Sequence, residues 1–300
     1  MAHVLHSPVM EDIREPGRFA ALRRRVFGHW GLLFGGVALG AIALIAIFGP
    51  LVIGGDPYAQ NLLLRMKPPF WMAGTHPDHI LGTDHLGRDY LARLVTGARI
   101  SLAIGLVAAL ISGLIGTTMG VAAGYFGGRV DLVVTFLINV RLAMPVVLVA
   151  LAVVATFGGS LKVVILVLGF LLWDRFAVVM RASTLEVRGL EYVNAARAIG
   201  CSTARIVLAE IMPNVMNKLI VVVTLEIAHA ILLEAALSFL GLGVQPPTPS
   251  WGLMISEAKQ MMLFKPWLIA IPGFSLFVLV LAINLLGDGL RDVTAPENRN

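Results

Sequence analysis

The sequence predicts an all-α membrane protein that crosses the bilayer six times, and three observations carry that expectation. Apolar residues make up 58% of the 300-residue chain and charged residues only 14%, a balance that would leave a soluble domain with more exposed apolar surface than it tolerates. The apolar residues are gathered in six stretches, each close to the roughly 20 residues that a helix needs to cross a hydrocarbon core of about 30 Å. None alternates apolar with polar residues as a barrel strand does, so helices must satisfy the backbone N–H and C=O groups inside the lipid.

Taken in order, residues 1–29 are a polar tail, with a short interfacial helix expected around Phe19 to Phe27. The first span is Trp30–Ile53. It is longer than the apolar core of a signal peptide, about 7–15 residues, and no small-residue cleavage pattern follows Ile47-Phe48-Gly49-Pro50, so it is expected to be retained. Residues 54–99, with Pro57, Pro68, Pro69 and Pro77, are too long for a simple connector and are expected to fold as a cap on the outer face. The second span, Ile100–Tyr125, carries Gly116, Gly120 and Gly124 on one face, a pattern that lets two backbones approach closely, whether as a fixed or a moving seam. The third, Leu132–Phe157, contains Pro145, and the turn Gly158-Gly159-Ser160 makes the fourth, Leu161–Met180, its antiparallel neighbour. The fifth is Leu219–Leu240 and the sixth Trp267–Leu286, where Pro272, like Pro145, marks a kink or a helix start. Residues 100–290 thus form a five-helix core containing a polar loop at 185–217, and residues 291–300 a second tail.

Basic residues orient the bundle. Arg14, Arg18, Arg23, Arg24 and Arg25 precede the first span, and Arg181, Arg188, Arg197, Arg205 and Lys218 fill the loop between the fourth and fifth. Six spans put both groups on one side, expected to be the cytoplasm, together with both termini. Arg65, Lys67, Arg88, Arg93 and Arg99 oppose this from a long loop, where charge counts for less. The net charge of +5 fits a basic bias against anionic lipid, and without an aromatic-basic platform nucleic acid is not an expected partner. The single cysteine, Cys201, permits neither a disulfide nor a thiolate cluster within the chain.

His76, His79 and His85 beside Asp78 and Asp84 raise a metal site. Exposed histidines in a polar loop are the plainer reading, and no metal is expected. The chain has neither a phosphate-binding Gly-Lys-Ser/Thr loop nor a Gly-x-Ser-Gly nucleophile turn, so it is not expected to be an enzyme. Nor does it show the internal repeats of an ion-driven transporter.

The loop at 185–217 carries the most informative pattern. On a helix, Tyr192, Ala195, Ala196 and Ile199 share one face and Glu191, Asn194 and Arg197 another. Gly200 suits a helix stop, and Ser202 can cap the helix that follows. Such a segment is either a solvated connector or, because small alanines beside Tyr192 and Ile199 admit a close neighbour, a docking knob.

Ala195-Ala196 with Gly200 and Pro213 resembles the cytoplasmic "EAA" loop of permease subunits in bacterial ATP-binding-cassette importers. Further segments resemble the second permease subunit of the dipeptide, oligopeptide and nickel importer family: His79-Ile80-Leu81-Gly82-Thr83-Asp84 with Gly87-Arg88-Asp89, then Gly124-Tyr125-Phe126-Gly127-Gly128, then Leu237 to Gly243 with Gln245-Pro246-Pro247, and Gly287-Asp288-Gly289-Leu290-Arg291-Asp292. The likeness covers nearly the whole chain. Asn194 and Met212 stand where the family usually has an acidic residue and a leucine.

The resemblance implies a type I importer permease (MetI-like) fold in the bacterial inner membrane. It also implies a homologous permease partner, two ATPase subunits that bind ATP and Mg, and an extracytoplasmic solute-binding protein. No cofactor is expected on this chain. Tyr192, Ala195, Ala196, Ile199, Gly200, Thr203 and Pro213 would dock an ATPase. Asp84, Arg88 and Asp89 would either meet the binding protein or pair internally within the cap. Of the ionisable residues inside spans, Asp174, Arg175, Glu226, His229 and Glu234, the trio Glu226, His229 and Glu234 would line the pathway or pair structurally. The implied cargo is di- or oligopeptide, with nickel or glutathione as alternatives.

Overall fold

The computed structural model describes residues 27–294; all of the interfacial helix expected at Phe19–Phe27 except Phe27, and most of the last tail, lie outside them. Every regular element among the described residues is helical, apart from one isolated bridge between Thr83 and Asp89. Five helices are long and apolar enough to cross a membrane, and a sharply bent pair makes six if taken as one span.

Helix α1 (Trp30–Ile53) starts where the Leu32 N–H donates to His29 Nδ1 at 3.1 Å. Helix α2 (Tyr90–Phe126) begins ten residues before the apolar stretch predicted at Ile100. Asp89 caps it by accepting from the Ala92 N–H at 2.7 Å, and its first turns rise above the apolar stretch, where hydropathy no longer reports helix. The cap therefore ends at Asp89.

The predicted third span is two helices, α3 (Gly128–Ala143) and α4 (Val146–Phe157), bent by 83°. Pro145 lacks an N–H and forces extended backbone on the residue before it, and Met144 has ψ 124°. Arg141 staples the break to the neighbouring helices, donating to the Leu171 carbonyl at 2.6 Å with its guanidinium 3.7 Å from Asp174.

Helices α5 (Leu161–Leu171) and α6 (Trp173–Arg188) together make the fourth span, eight residues longer than predicted. Gly116, Gly120 and Gly124 of α2 face α6 so closely that a Cβ on any of them would overlap its backbone or side chains, at Trp173, Ala177 and Thr184 respectively. The four-residue glycine repeat is therefore a packing seam.

After helix α7 (Glu191–Ala198), the chain turns through Thr203–Arg205 and a π-helical stretch, Ile206–Ile211, into α8 (Met212–Phe239). The wide turn precedes Pro213, whose ring cannot donate to an i−4 carbonyl, and the Asn214 amide covers the nearby Glu210 carbonyl at 2.6 Å. Short α9 (Trp251–Ala258) and long α10 (Trp267–Thr294) complete the chain. One apolar core joins α1, α2, α8, α9 and α10 around Ile231, Trp251 and Leu279, and a second joins α2, α4, α5 and α8 around Ile104, Val154 and Leu168. Large apolar side chains such as Leu51, Val52 and Phe274 remain exposed on the outside of the bundle, as a lipid-facing surface requires.

Candidate functional site

Three groups of residues place polar or docking chemistry on this frame. The first is the knob at 185–217. Helix α7 buries Val193 against a cluster containing Val187, Ile206, Ile211 and Val215, with Ala196 and Cys201 half-buried beside it. Tyr192, Ala195, Thr203 and Pro213 are exposed, and Ile199 is 80% exposed. Ala196, predicted on the docking face, instead turns inward as a spacer, because Val193 three residues earlier sets which side of the helix is buried. Gly200 sits at φ 83°, a left-handed position that closes α7, and the Ser202 hydroxyl accepts from the Arg205 N–H at 3.4 Å.

The knob is fastened to the spans. Arg188 donates to the carbonyls of Gly124 and Tyr125 at 3.1 and 2.9 Å, and Arg197 lies over the Tyr125 ring. Lys218 at the base of α8 pairs with Glu186 of α6 at 2.6 Å. Arg197 thus ties α7 to α2, Arg188 ties α6 to α2, and Lys218 with Glu186 ties α8 to α6.

The second group is in the cap. Asp84 and Arg88, predicted as possible contacts for a binding protein, are 3% and 2% exposed. Arg88 Nε donates to Asp84 at 2.6 Å, Arg93 of α2 reaches Asp84 too, and the two guanidiniums meet Glu257 of α9 at 3.2 and 2.8 Å. Asp89 is engaged twice, by the Ala92 N–H and by His79 at 2.7 Å. Buried charges are tolerated only when paired, and the internal ion-pair reading accounts for all three residues. Burial pushes the Asp84 carboxyl up, but Arg93, the Arg88 backbone N–H and the Arg88 guanidinium outweigh it and hold Asp84 below its ordinary value. Asp84, His85 and Glu257 also bring three metal-ligating atoms within 4.8 Å of one another, yet both carboxylates of that trio already face guanidiniums. Sequence reading missed Arg93 and Glu257, which lie 9 and 173 residues from Asp84; only the i, i+4 spacing of Asp84 and Arg88 hinted at the network.

The third group lies within the bundle. Glu226 is 1% exposed, with one oxygen 3.1 Å from Arg175 and the other 3.3 Å from His229. The Arg175 side chain is 57% exposed and borders a cavity of about 310 Å³ shared with Leu142, Asp174, Val178 and Val222. Glu234 stands apart from this trio. It accepts from the hydroxyls of Ser238 and Ser250 at 2.7 and 2.8 Å and is fully buried where α8 meets α9 beside Gly252. Of the two roles expected for Glu234, lining the pathway or pairing structurally, its contacts are those of a tie between α8 and α9.

Residues 116–300 match a family described as the binding-protein-dependent transport system inner membrane component. The chain is 39% identical to the dipeptide transport system permease protein DppC of Haemophilus influenzae over 89% of its length and 90% of that protein. It is 40% identical to the di/tripeptide permease DppC of Pseudomonas aeruginosa, covering 90% and 88% of the two chains. It is also 40% identical to the glutathione transport system permease protein GsiD of Pectobacterium atrosepticum, covering 75% and 74%. In fold it is similar to the MetNI methionine transporter in an inward-facing conformation, with TM-score 0.57 at 19% identity, over 67% of this chain and 96% of that one.

Proposed function

The chain belongs to the binding-protein-dependent transport system inner membrane component family, and from that premise we propose that it forms half of the translocation pathway of an ATP-binding-cassette importer for di- and oligopeptides. A homologous permease subunit completes the pathway. Two partner ATPases carry ATP and Mg, and an extracytoplasmic binding protein delivers cargo. The chain is a multi-pass inner-membrane protein, oriented with both termini in the cytoplasm.

The observation that carries this reading is the α7 knob, apolar and exposed at Tyr192, Ala195 and Ile199 yet locked to three spans at its base. Such a surface suits burial in a groove of another protein. ATP favours the closed pair of ATPases, closure moves the knobs, and the knobs move the spans; the shift is limited by how differently ATP binds the two states. Inside the bundle, Arg175 supplies a cation for a peptide carboxylate, while Glu226 and His229 set its position. Glutathione is itself a small peptide, so the likeness to a glutathione permease widens the cargo class without changing the chemistry required.

The test uses Ile199→Asp in the reconstituted importer. Ile199 makes little contact within the chain, so the fold should persist, while a charge placed in a desolvated contact should lower peptide uptake about tenfold or more. Unchanged uptake and unchanged peptide-stimulated ATPase activity would remove the docking claim.

A further inference from the structure

Two open cavities flank α8, and they differ in character. One holds the Arg175–Glu226–His229 group described above. The other, about 380 Å³, lies between α1, α2, α8 and α10 and is walled by Leu39, Ala43, Leu102, Ile227 and Leu286. Its one charged wall residue is Arg99. Arg99 is exposed and has no hydrogen bond or ion pair among the described residues.

An unpaired guanidinium beside apolar walls in a spanning helix is costly, and it recovers that cost only by reaching an anion or water. Its depth limits the choice. Gly49 of α1 packs against Val95 of α2, so the Arg99 backbone, one turn further along α2, lies roughly 12 Å inward from the end of α1 at Ile53, a depth from which the long side chain reaches a headgroup by extending outward. The groove that Arg99 borders is too apolar for a peptide backbone, whose polar groups would go unsatisfied there. Thr224 and Ile227 put this groove on a different face of α8 from Glu226.

We propose that this groove is a binding site for one anionic phospholipid, its phosphate on Arg99 and an acyl chain lying against Leu102, Ala103, Leu106 and Ile283. The cation matches the phosphate, and the apolar walls match the chain. The site lies outside the peptide pathway. It holds α1 against the core, since the lipid bridges α1 to α2, α8 and α10. The orientation proposed above makes this an outer-leaflet lipid, but lipid retention itself does not depend on that orientation.

Native mass spectrometry of the intact importer, released from nanodiscs of mixed phosphatidylglycerol and phosphatidylethanolamine, reads the occupancy. Wild type is expected to retain phosphatidylglycerol in preference to phosphatidylethanolamine. Arg99→Gln is expected to lower that retention about fivefold and Arg99→Lys to keep most of it, as one interfacial charge requires. Ala103→Phe, which fills the groove and leaves Arg99 in place, is expected to lower retention as well, and it decides the matter should Arg99→Gln fail to assemble. Equal retention of the two lipids, retention unchanged in Arg99→Gln or Ala103→Phe, or no retained phospholipid in wild type because a carboxylate of the partner permease occupies Arg99, would each overturn the site.

Discussion

At the scale of single residues, the cap network shows how a charged motif can look like a surface and be a core. Asp84, Arg88, Arg93 and Glu257 compensate one another, so removing one leaves the others buried and unbalanced. Glu257→Ala is expected to cost about 3–5 kcal/mol, read as a fall in the thermal midpoint of the detergent-solubilised importer; a midpoint within a degree of wild type would contradict the pairing. The pH dependence has a defined sign. Asp84 titrates below its ordinary value of 3.8 when folded, so the unfolded chain binds more protons in acid. The stabilisation is fully present above pH 3.8 and is lost as pH falls through the lower folded value. The Asp84 contribution, read as the importer's thermal midpoint against pH, should therefore stay flat near neutrality and fall only in strong acid.

At the scale of elements, the α2–α6 seam depends on three absent side chains. Gly120→Leu would drive a branched side chain into the Ala177 carbonyl and is expected to abolish assembly. Gly273→Ala in α10 meets open space and should be neutral or stabilise by roughly 0.5–1 kcal/mol, since alanine favours helix. Both are read by size-exclusion recovery of the complex; equal recovery of the two variants would remove the seam. This seam was legible in the sequence because a four-residue glycine repeat has one packing meaning. The bounds of α1 were legible as well, since apolar length and helix length coincide there. The start of α2 was not, because Tyr90–Arg99 is helical for reasons of capping and ion pairing rather than hydropathy. Neither was the break at Met144-Pro145: proline in a span signals a kink but not its angle, and Arg141 meets Leu171 and Asp174 at the break from residues far along the chain. The inward turn of Ala196 was hidden because Val193 on the same short helix belongs to a core assembled from distant segments.

At the scale of the whole molecule, the proposed function treats the chain as a transmission built from an exposed knob, an ion-paired cap and spans joined by a close-packed seam. In the function proposed above, the driving free energy enters through α7, the exposed face on which the partner ATPases would dock. The most direct measurement is labelling by a membrane-impermeant maleimide of the importer carrying Ile199→Cys with Cys201→Ala, in right-side-out and inside-out vesicles, with and without the ATPase subunits. The account predicts labelling only in inside-out vesicles, and protection there once the ATPases are bound. Labelling from the outer side, or no protection by the ATPases, would contradict it.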